Sequence, residues 1–377
     1  MSGTQYLRGT PADRADIVDF ANYVFSQAHE PHDFKTLLPK TYADDVTGME
    51  AWHFLAKENG RIRALVCNRP MKMRILDRTL SCGLVGTVSV HPYARGEGHM
   101  KRLMNDMLAD ARGKYDFLIL GGQRQRYNYF GFEHLGTVLR YKITGAGLRH
   151  CLKDTDVSDI ALTDLTNDRP EELAFVRSLM DRRAVCGERP EEYLLHILRS
   201  WNQRARLVRI GGQMAGYLTG TVGEIGLTDE AQLPRVLKAL FQADGLTWAR
   251  IDAAPYEKER IRALAGLYEE RSIETYEMVH VLNWVPFVQA LLSLKASYSR
   301  LADGIFTLAV ENEGAFTIQV EQGVPRVTEA RRPADAALSH LEAQRLLLGL
   351  ENALCCDGPL PSSWLPLPFY MSNVDSF

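Results

Sequence analysis

Apolar positions in the first third of the chain follow two periods in turn. Ile17, Phe20, Ala21, Val24 and Phe25 recur at three- and four-residue spacing, behind Thr10-Pro11 and Asp13, which read as an N-cap, a first-turn proline and a first-turn acid; together they predict a helix. The segment HFLAKENGRIRALVC predicts a β-hairpin, because Asn59-Gly60 at its centre tolerates two positive φ angles. A further strand pair turns near Leu76-Asp77-Arg78. The β-branched run Leu84 to Val90 predicts a buried strand, Met100, Leu103, Met104, Met107 and Leu108 form a helical stripe, and YDFLIL, Tyr115 to Leu120, predicts the next strand. Strand, helix and strand in that order predict a parallel crossover.

The same order then recurs in degenerate form. RLVRIGGQMAGYLTG predicts a hairpin around Gly211-Gly212, TVGEIGL a strand, Gln232 to Phe241 a helix and TWARIDA another strand. From Trp284 the pattern changes to a helix carrying Val285, Phe287, Val288, Leu291 and Leu292, a meander GIFTLAVENEGAFTIQVEQGVPRVT, and a Leu-rich helix near Leu341 to Leu350. The expected layout is therefore three units, 1–147, 148–283 and 284–377, of mixed α+β and α/β character. A length of 377 residues suits two or three domains.

Composition narrows the classes of function. With 46% apolar and 24% charged residues each unit can bury a core, and a net charge of -3 spread along the chain supplies no basic field for nucleic acid. Cys67, Cys82, Cys151, Cys186, Cys355 and Cys356 show neither zinc spacing nor a disulfide framework, so a reduced, cytoplasmic setting is expected, with Cys355-Cys356 read as buried and structural. No apolar run is long enough to span a bilayer, and the first residues lack the layout of a signal peptide; no membrane partner is expected. His29-Glu30-Pro31-His32 lacks the HExxH spacing and is interrupted by proline, so no metal is expected.

The chemistry concentrates at HPYARGEGHMKRLMNDML, the joint between the third predicted strand region and the helix. A strand ending in a glycine-containing loop that opens a helix converges unpaired N–H groups and the positive helix end on one point. Gly96 and Gly98 would let the backbone approach a bulky anion, Arg95 adds a fixed charge, and a diphosphate would fit. His91 and His99 flank this loop and read as surface or edge histidines. The second copy has LTDEAQLPRVL at this place, with Asp229 and Glu230 where an anion would sit, and is read as structural.

The segment VSVHPYARGEGHMKRLM resembles the acetyl-CoA motif of the GNAT acetyltransferases, V-x-V-x-P-x-x-[QR]-x-x-G-x-[GA], with Val88, Val90, Pro92, Arg95 and Gly98 on matching positions. Met100 departs from the final small residue in the manner of the Eis-type (enhanced intracellular survival) branch. RYNYFGFEHLG resembles that branch's Y-x-x-[FY]-G-[FY] segment through Tyr127, Phe130, Gly131 and Phe132. The resemblance implies tandem GNAT folds, mixed sheets flanked by helices, followed by a small α+β domain similar to sterol carrier proteins.

It also implies an acetyl-CoA-dependent N-acetyltransferase acting on a primary amine, free or in a peptide, by direct attack in a ternary complex; a non-catalytic CoA or small-ligand binder on the same scaffold is the alternative. Val88, Ser89, Val90, Arg95, Gly96, Glu97, Gly98, His99 and Met100 would hold acetyl-CoA. Tyr127 would be the acid that protonates the departing thiolate, with Tyr129 as fallback, and the terminal carboxylate of Phe377 would serve the amine as a catalytic group. Phe25 and Phe34 are candidates for the amine pocket. Gln27, where related polycation acceptors carry acid, argues against aminoglycoside-like substrates. A ring-like homo-oligomer, with a hexamer as the suggested size, is implied by the same resemblance.

Overall fold

The computed structural model describes residues 3–27, 30–220, 223–353 and 360–377. His29, Cys355 and Cys356 lie outside the described residues. In chain order the first unit holds β1 (Gln5–Arg8), the helix Arg14–Ser26, β2 (His53–Glu58), β3 (Arg61–Ile75), β4 (Arg78–Val90), the helix His99–Ala111, β5 (Phe117–Leu120) and β6 (Glu133–His134). Asn59 and Gly60 join β2 to β3 with φ of 49° and 77°, the two positive angles that a tight hairpin of right-handed twist demands. β4 and β5 are parallel, with the helix His99–Ala111 as their crossover. That helix buries Leu103, Met104, Met107 and Ala111 against Phe54, Ala64, Val66 and Leu118 of the sheet.

The chain continues through β7 (Val138–Thr144), β8 (Ile160–Asp164), β9 (Val185–Gly187), β10 (Ala205–Ile210), β11 (Gln213–Thr219), β12 (Glu224–Leu227), the helix Leu233–Asp244, β13 (Trp248–Ala253), β14 (Glu270–Glu274) and β15 (Met278–Val281). Gly211 and Gly212 turn the β10–β11 hairpin with φ of 56° and 79°. The second copy is nevertheless not closed as the first is: β12 lies in the sheet β12-β11-β10-β8 and β13 in the separate sheet β13-β7-β14.

Three strands cross the boundaries drawn from sequence. β7 leaves the first stretch of chain to sit between β13 and β14, and β15 returns to the first sheet, antiparallel to both β5 and β6. The first sheet thus runs β1-β2-β3-β4-β5-β15-β6, with β9 on the far half of β3. Apolar residues make this possible: Met278, Val279 and Val281 of β15 are buried on both faces, as an internal strand requires.

The last unit comprises the helix Trp284–Tyr298, the antiparallel β16 (Gly304–Val310), β17 (Gly314–Glu321) and β18 (Val324–Glu329), the strand β19 (Ala336–Leu338) parallel to β16, and the helix His340–Leu348. Its core is continuous with the face of the first sheet, since Phe117 packs on Phe287 with ring centroids 5.1 Å apart and on Phe369 at 5.6 Å. The segment after Trp364 therefore runs back through the interior, and Gly136 gives it room: a Cβ there would lie 2.1 Å from the Phe369 carbonyl. No helix among the described residues is long and apolar enough to cross a membrane.

Candidate active site

β4 and β5 pair only from Cys82–Phe117 to Val85–Leu120. β5 stops at Leu120 while β4 runs on to Val90, so the edge Gly86–Val90 has no strand partner on that side. At this point the β3–β4 register shifts between Leu65 and Cys67, and Thr87 takes φ of 43°, a left-handed geometry that is strained for a β-branched residue. A buried hydrogen-bond chain holds it. His53 Nδ1 lies 2.9 Å from the Met49 carbonyl and must donate to it, which leaves Nε2 to accept from Tyr42, 3.0 Å away, while the Thr87 hydroxyl meets the Tyr42 oxygen at 2.7 Å. Burial lowers the His53 pKa to about 4, so the ring is neutral and this direction of donation is fixed at neutral pH. Ser89 donates its hydroxyl to the Thr87 carbonyl at 3.0 Å, while Val88 and Val90 are half-buried along the open edge.

Beyond Val90 a single 3-10 turn, Pro92–Ala94, leads to Arg95, Gly96 and Gly98, the last serving as N-cap of the helix His99–Ala111. Gly96 and Gly98 have φ of 87° and 82°, and a Cβ on either would meet nothing within 4 Å. Their requirement is the dihedral angle, and the loop faces open space toward which the first-turn N–H groups are unpaired. Arg95 is exposed and makes no hydrogen bond or ion pair among the described residues.

His99 is a correction to the sequence reading. It is only 4% exposed, with Nδ1 2.9 Å from the Tyr6 hydroxyl and Nε2 2.9 Å from a Glu97 oxygen. The first helical position points inward toward β1, so this imidazole braces the loop from beneath and ties Glu97 to it. Met100 packs half-buried against the core of the first sheet. His91 is half-buried and stacks on Tyr23 at 5.4 Å.

Past the open edge lies a cavity of about 510 Å³. Val88, Tyr127, Phe25, Phe34 and Phe377, far apart in sequence, all line it. Tyr127 ends the short helix Arg124–Tyr127 that follows β5 and Gly121-Gly122, and its ring lies where a Cβ on Gly122 would be, 2.9 Å from Cε2. Its burial pushes the phenol pKa up, against the opposing effect of the nearby Arg126 charge. Tyr129, by contrast, is 69% exposed beneath the Lys101 ammonium and does not line the cavity. Phe34 meets Phe25 edge-on at 5.1 Å and is also part of the core under the helix Arg14–Ser26.

Phe377 lays its ring over Gly86, where a Cβ would come within 2.2 Å of it, and its carbonyl oxygen accepts from Trp201 Nε1 at 3.1 Å. Lys40, 1% exposed, holds the preceding residues by donating to the Val374 carbonyl at 2.9 Å and to the Ser376 carbonyl.

Sequence reasoning missed three of these residues: Lys40, Trp201 and Glu277. Glu277 lines the cavity with its carboxylate over Gly121, 2.9 Å from where a Cβ would lie, and makes no side-chain hydrogen bond among the described residues. Burial raises its pKa, with the charges of His134 and Arg140 acting in the opposite sense. One signal pointed to it: Glu277 is the single charged residue in the run Tyr276 to Leu282.

In the second copy the corresponding helix start is closed by the chain's own acids. Asp229 accepts from Ala231 N at 2.9 Å and Glu230 is bound by Arg260 at 2.7 Å. Among the described residues no group of three or more His, Cys, Asp or Glu side chains is placed to hold a metal.

Residues 5–135 match the family described as acetyltransferase (GNAT) domain. The chain superposes over 100% of its length on 100% of a GCN5-related N-acetyltransferase from Anabaena variabilis ATCC 29413, with a TM-score of 0.70 and 12% identity. A GCN5-related N-acetyltransferase from Kribbella flavida gives 0.68 at 14% identity, covering 100% of this chain and 99% of that one. Eis1 from Mycobacterium abscessus gives 0.62 at 14% identity, covering 97% and 96%. At these identities the likeness establishes the mixed α+β fold. No curated protein matches the chain.

Proposed function

We propose that the chain is an acetyl-CoA-dependent N-acetyltransferase that transfers the acetyl group to a primary amine by direct attack. The observation that carries this reading is the open β4 edge at Gly86–Val90, with Tyr127 and a cavity on one side and the Arg95–Gly98 loop at its end; the GNAT match over residues 5–135 supports it. In this reading the loop amides and Arg95 hold the diphosphate, and the β4 edge receives the pantetheine arm as an added strand would be received. A backbone N–H of the Thr87–Val90 bulge polarises the thioester carbonyl, a role worth a few kcal/mol where such donors are removed.

The amine enters from the cavity. Glu277 attracts it as an ammonium and, with its raised pKa, is suited to relieve it of a proton before attack. Trp201 donates to the Phe377 main-chain oxygen and Lys40 to the Ser376 carbonyl, so that the Phe377 ring is held as part of the lining that receives the amine. Tyr127 then gives its proton to the departing thiolate.

The test is thiol release from acetyl-CoA by the purified chain with and without added primary amine, read with a thiol reagent and by the mass of the product. Amine-dependent release with an acetylated product is expected. CoA binding without any amine-dependent release would replace the enzyme by a binding protein.

A further inference from the structure

The acceptor cavity does not end at Phe377. Trp201 and Ser376 line it on one side and on the other line a groove of about 490 Å³ that continues over Trp248, Gln203, Arg250 and Asn373. Each volume is that of a small-molecule site. Trp201 lines both spaces, is 43% exposed, and both it and Asn202 take left-handed φ of 60° and 56°. Two consecutive non-glycine residues in that region cost backbone energy. What they secure is the indole's position, with its N–H on the Phe377 main-chain oxygen and its side chain in the lining of both spaces. Trp248, 58% exposed at the start of β13, offers a second flat surface farther out.

Charge selects among amines. The charged side chains that line the two spaces are Glu277, Arg126 and Arg250, one carboxylate against two guanidiniums. Arg250 is partly balanced by Asp252 at 3.4 Å, but Asp252 is shared with Arg140. A single ammonium is therefore matched at Glu277, whereas a second or third would be placed in a field of its own sign. Phe25, Phe34, Trp201 and Phe377 give the inner space an aromatic lining, and the other polar groups there, Thr87, Gln123 and Ser376, are uncharged.

We infer that the acceptor is an extended monoamine: one primary ammonium at Glu277 on an apolar or aromatic body that passes Trp201 and ends against Trp248. This rests on the acetyltransferase reading of the same site and adds the class of amine to it.

The full chain, saturated with CoA, is titrated calorimetrically with 4-phenylbutylamine, benzylamine and spermidine, so that binding is read apart from chemistry. 4-Phenylbutylamine is expected to bind about tenfold or more tighter than spermidine. Trp248→Ala is expected to weaken 4-phenylbutylamine by about 3–10-fold, the range for losing one aromatic contact, and to weaken benzylamine less, with Trp248→Phe restoring most of the loss. Spermidine binding as tightly as 4-phenylbutylamine, equal losses for the long and short amines in Trp248→Ala, or no binding by any of the three would overturn the inference. Binding in the predicted order without thiol release would leave it standing and remove the acetyltransferase reading instead.

Discussion

Arg189 grips Asp375 across 186 positions of sequence, donating from Nε to one carboxylate oxygen at 2.7 Å and from Nη2 to the other at 2.9 Å. Its remaining bonds go to Glu224 at 2.7 and 2.8 Å, and Asp375 also accepts from Gly187 N at 3.0 Å. All three side chains are buried. The pair fixes the backbone two residues before Phe377, so it connects the second unit's interior to the wall of the acceptor cavity.

Asp375→Asn keeps the shape of the side chain and removes its charge, while Arg189 retains Glu224. A stability loss of about 1–3 kcal/mol is expected, the cost of a weakened buried hydrogen-bonded group rather than of an unpaired charge. Denaturant midpoints measure that part. The tail-specific part is a raised KM for the amine with CoA affinity preserved; a fall in both affinities together would mean that the pair supports the fold alone.

Lys40 yields a pH prediction. Burial, assisted by the charges of Arg69 and Arg189 and opposed by Asp375, lowers its pKa from 10.5 to about 7. Between these values the unfolded chain binds a proton that the folded chain does not, so stability rises with pH across that window, by up to about 1.4 kcal/mol per pH unit for one proton. Below about pH 7 both states are protonated and the full cost of the buried charge is present. Urea unfolding at pH 6.5 and pH 9 should therefore show the wild type gaining relative to Lys40→Met as pH increases. Parallel behaviour of the two proteins would show that Lys40 is solvated and does not clamp the tail.

Gly86 is defined by what lies over it. A Cβ there would come within 2.2 to 2.5 Å of three ring atoms of Phe377. The obstructing group is the Phe377 ring, packed against two cores, so Gly86→Ala should lower stability by about 1–3 kcal/mol, the range for overpacking. Its turnover should fall by about tenfold or more, because the acceptor wall is displaced. Turnover equal to wild type would show that the ring's placement is irrelevant to acceptor binding.

The elements that sequence reveals here are those made by neighbours in the chain. The Asn59-Gly60 and Gly211-Gly212 hairpins, the helix after Thr10-Pro11 and the glycine joint before His99 each depend on a local dihedral or a local period, and each stands where its residues imply. What was hidden depends on distant pairing. β15 joins the first sheet because its two apolar faces fit between β5 and β6, which nothing within MVHV specifies. Glu277 reaches the cavity only as a consequence of that insertion, and Lys40 and Trp201 become functional candidates only once the last residues of the chain have been threaded past them. His99 was misjudged for a related reason: its surroundings are set by Tyr6 on β1, more than ninety positions earlier.

Gly98→Asp tests the loop. An acid at the N-cap is tolerated by the helix, and the left-handed φ of 82° costs a non-glycine residue about 1–2 kcal/mol. The added carboxylate faces the space assigned to the diphosphate, so CoA affinity should fall by roughly 10–100-fold, the equivalent of about 1.4–2.8 kcal/mol. Calorimetric titration with CoA measures it, and an unchanged dissociation constant would remove the loop from the cofactor's path.

Tyr127→Phe deletes one hydroxyl beside the open β4 edge and keeps the ring that packs on Gly122. Acetyl-CoA-dependent turnover of 4-phenylbutylamine should fall by roughly 10²–10⁴-fold, the range for losing a positioned acid, while calorimetric affinity for acetyl-CoA stays within about threefold of wild type. Turnover at the wild-type rate in Tyr127→Phe, with the substrate still bound, would contradict the assignment of this tyrosine as the proton donor of an acetyl transfer.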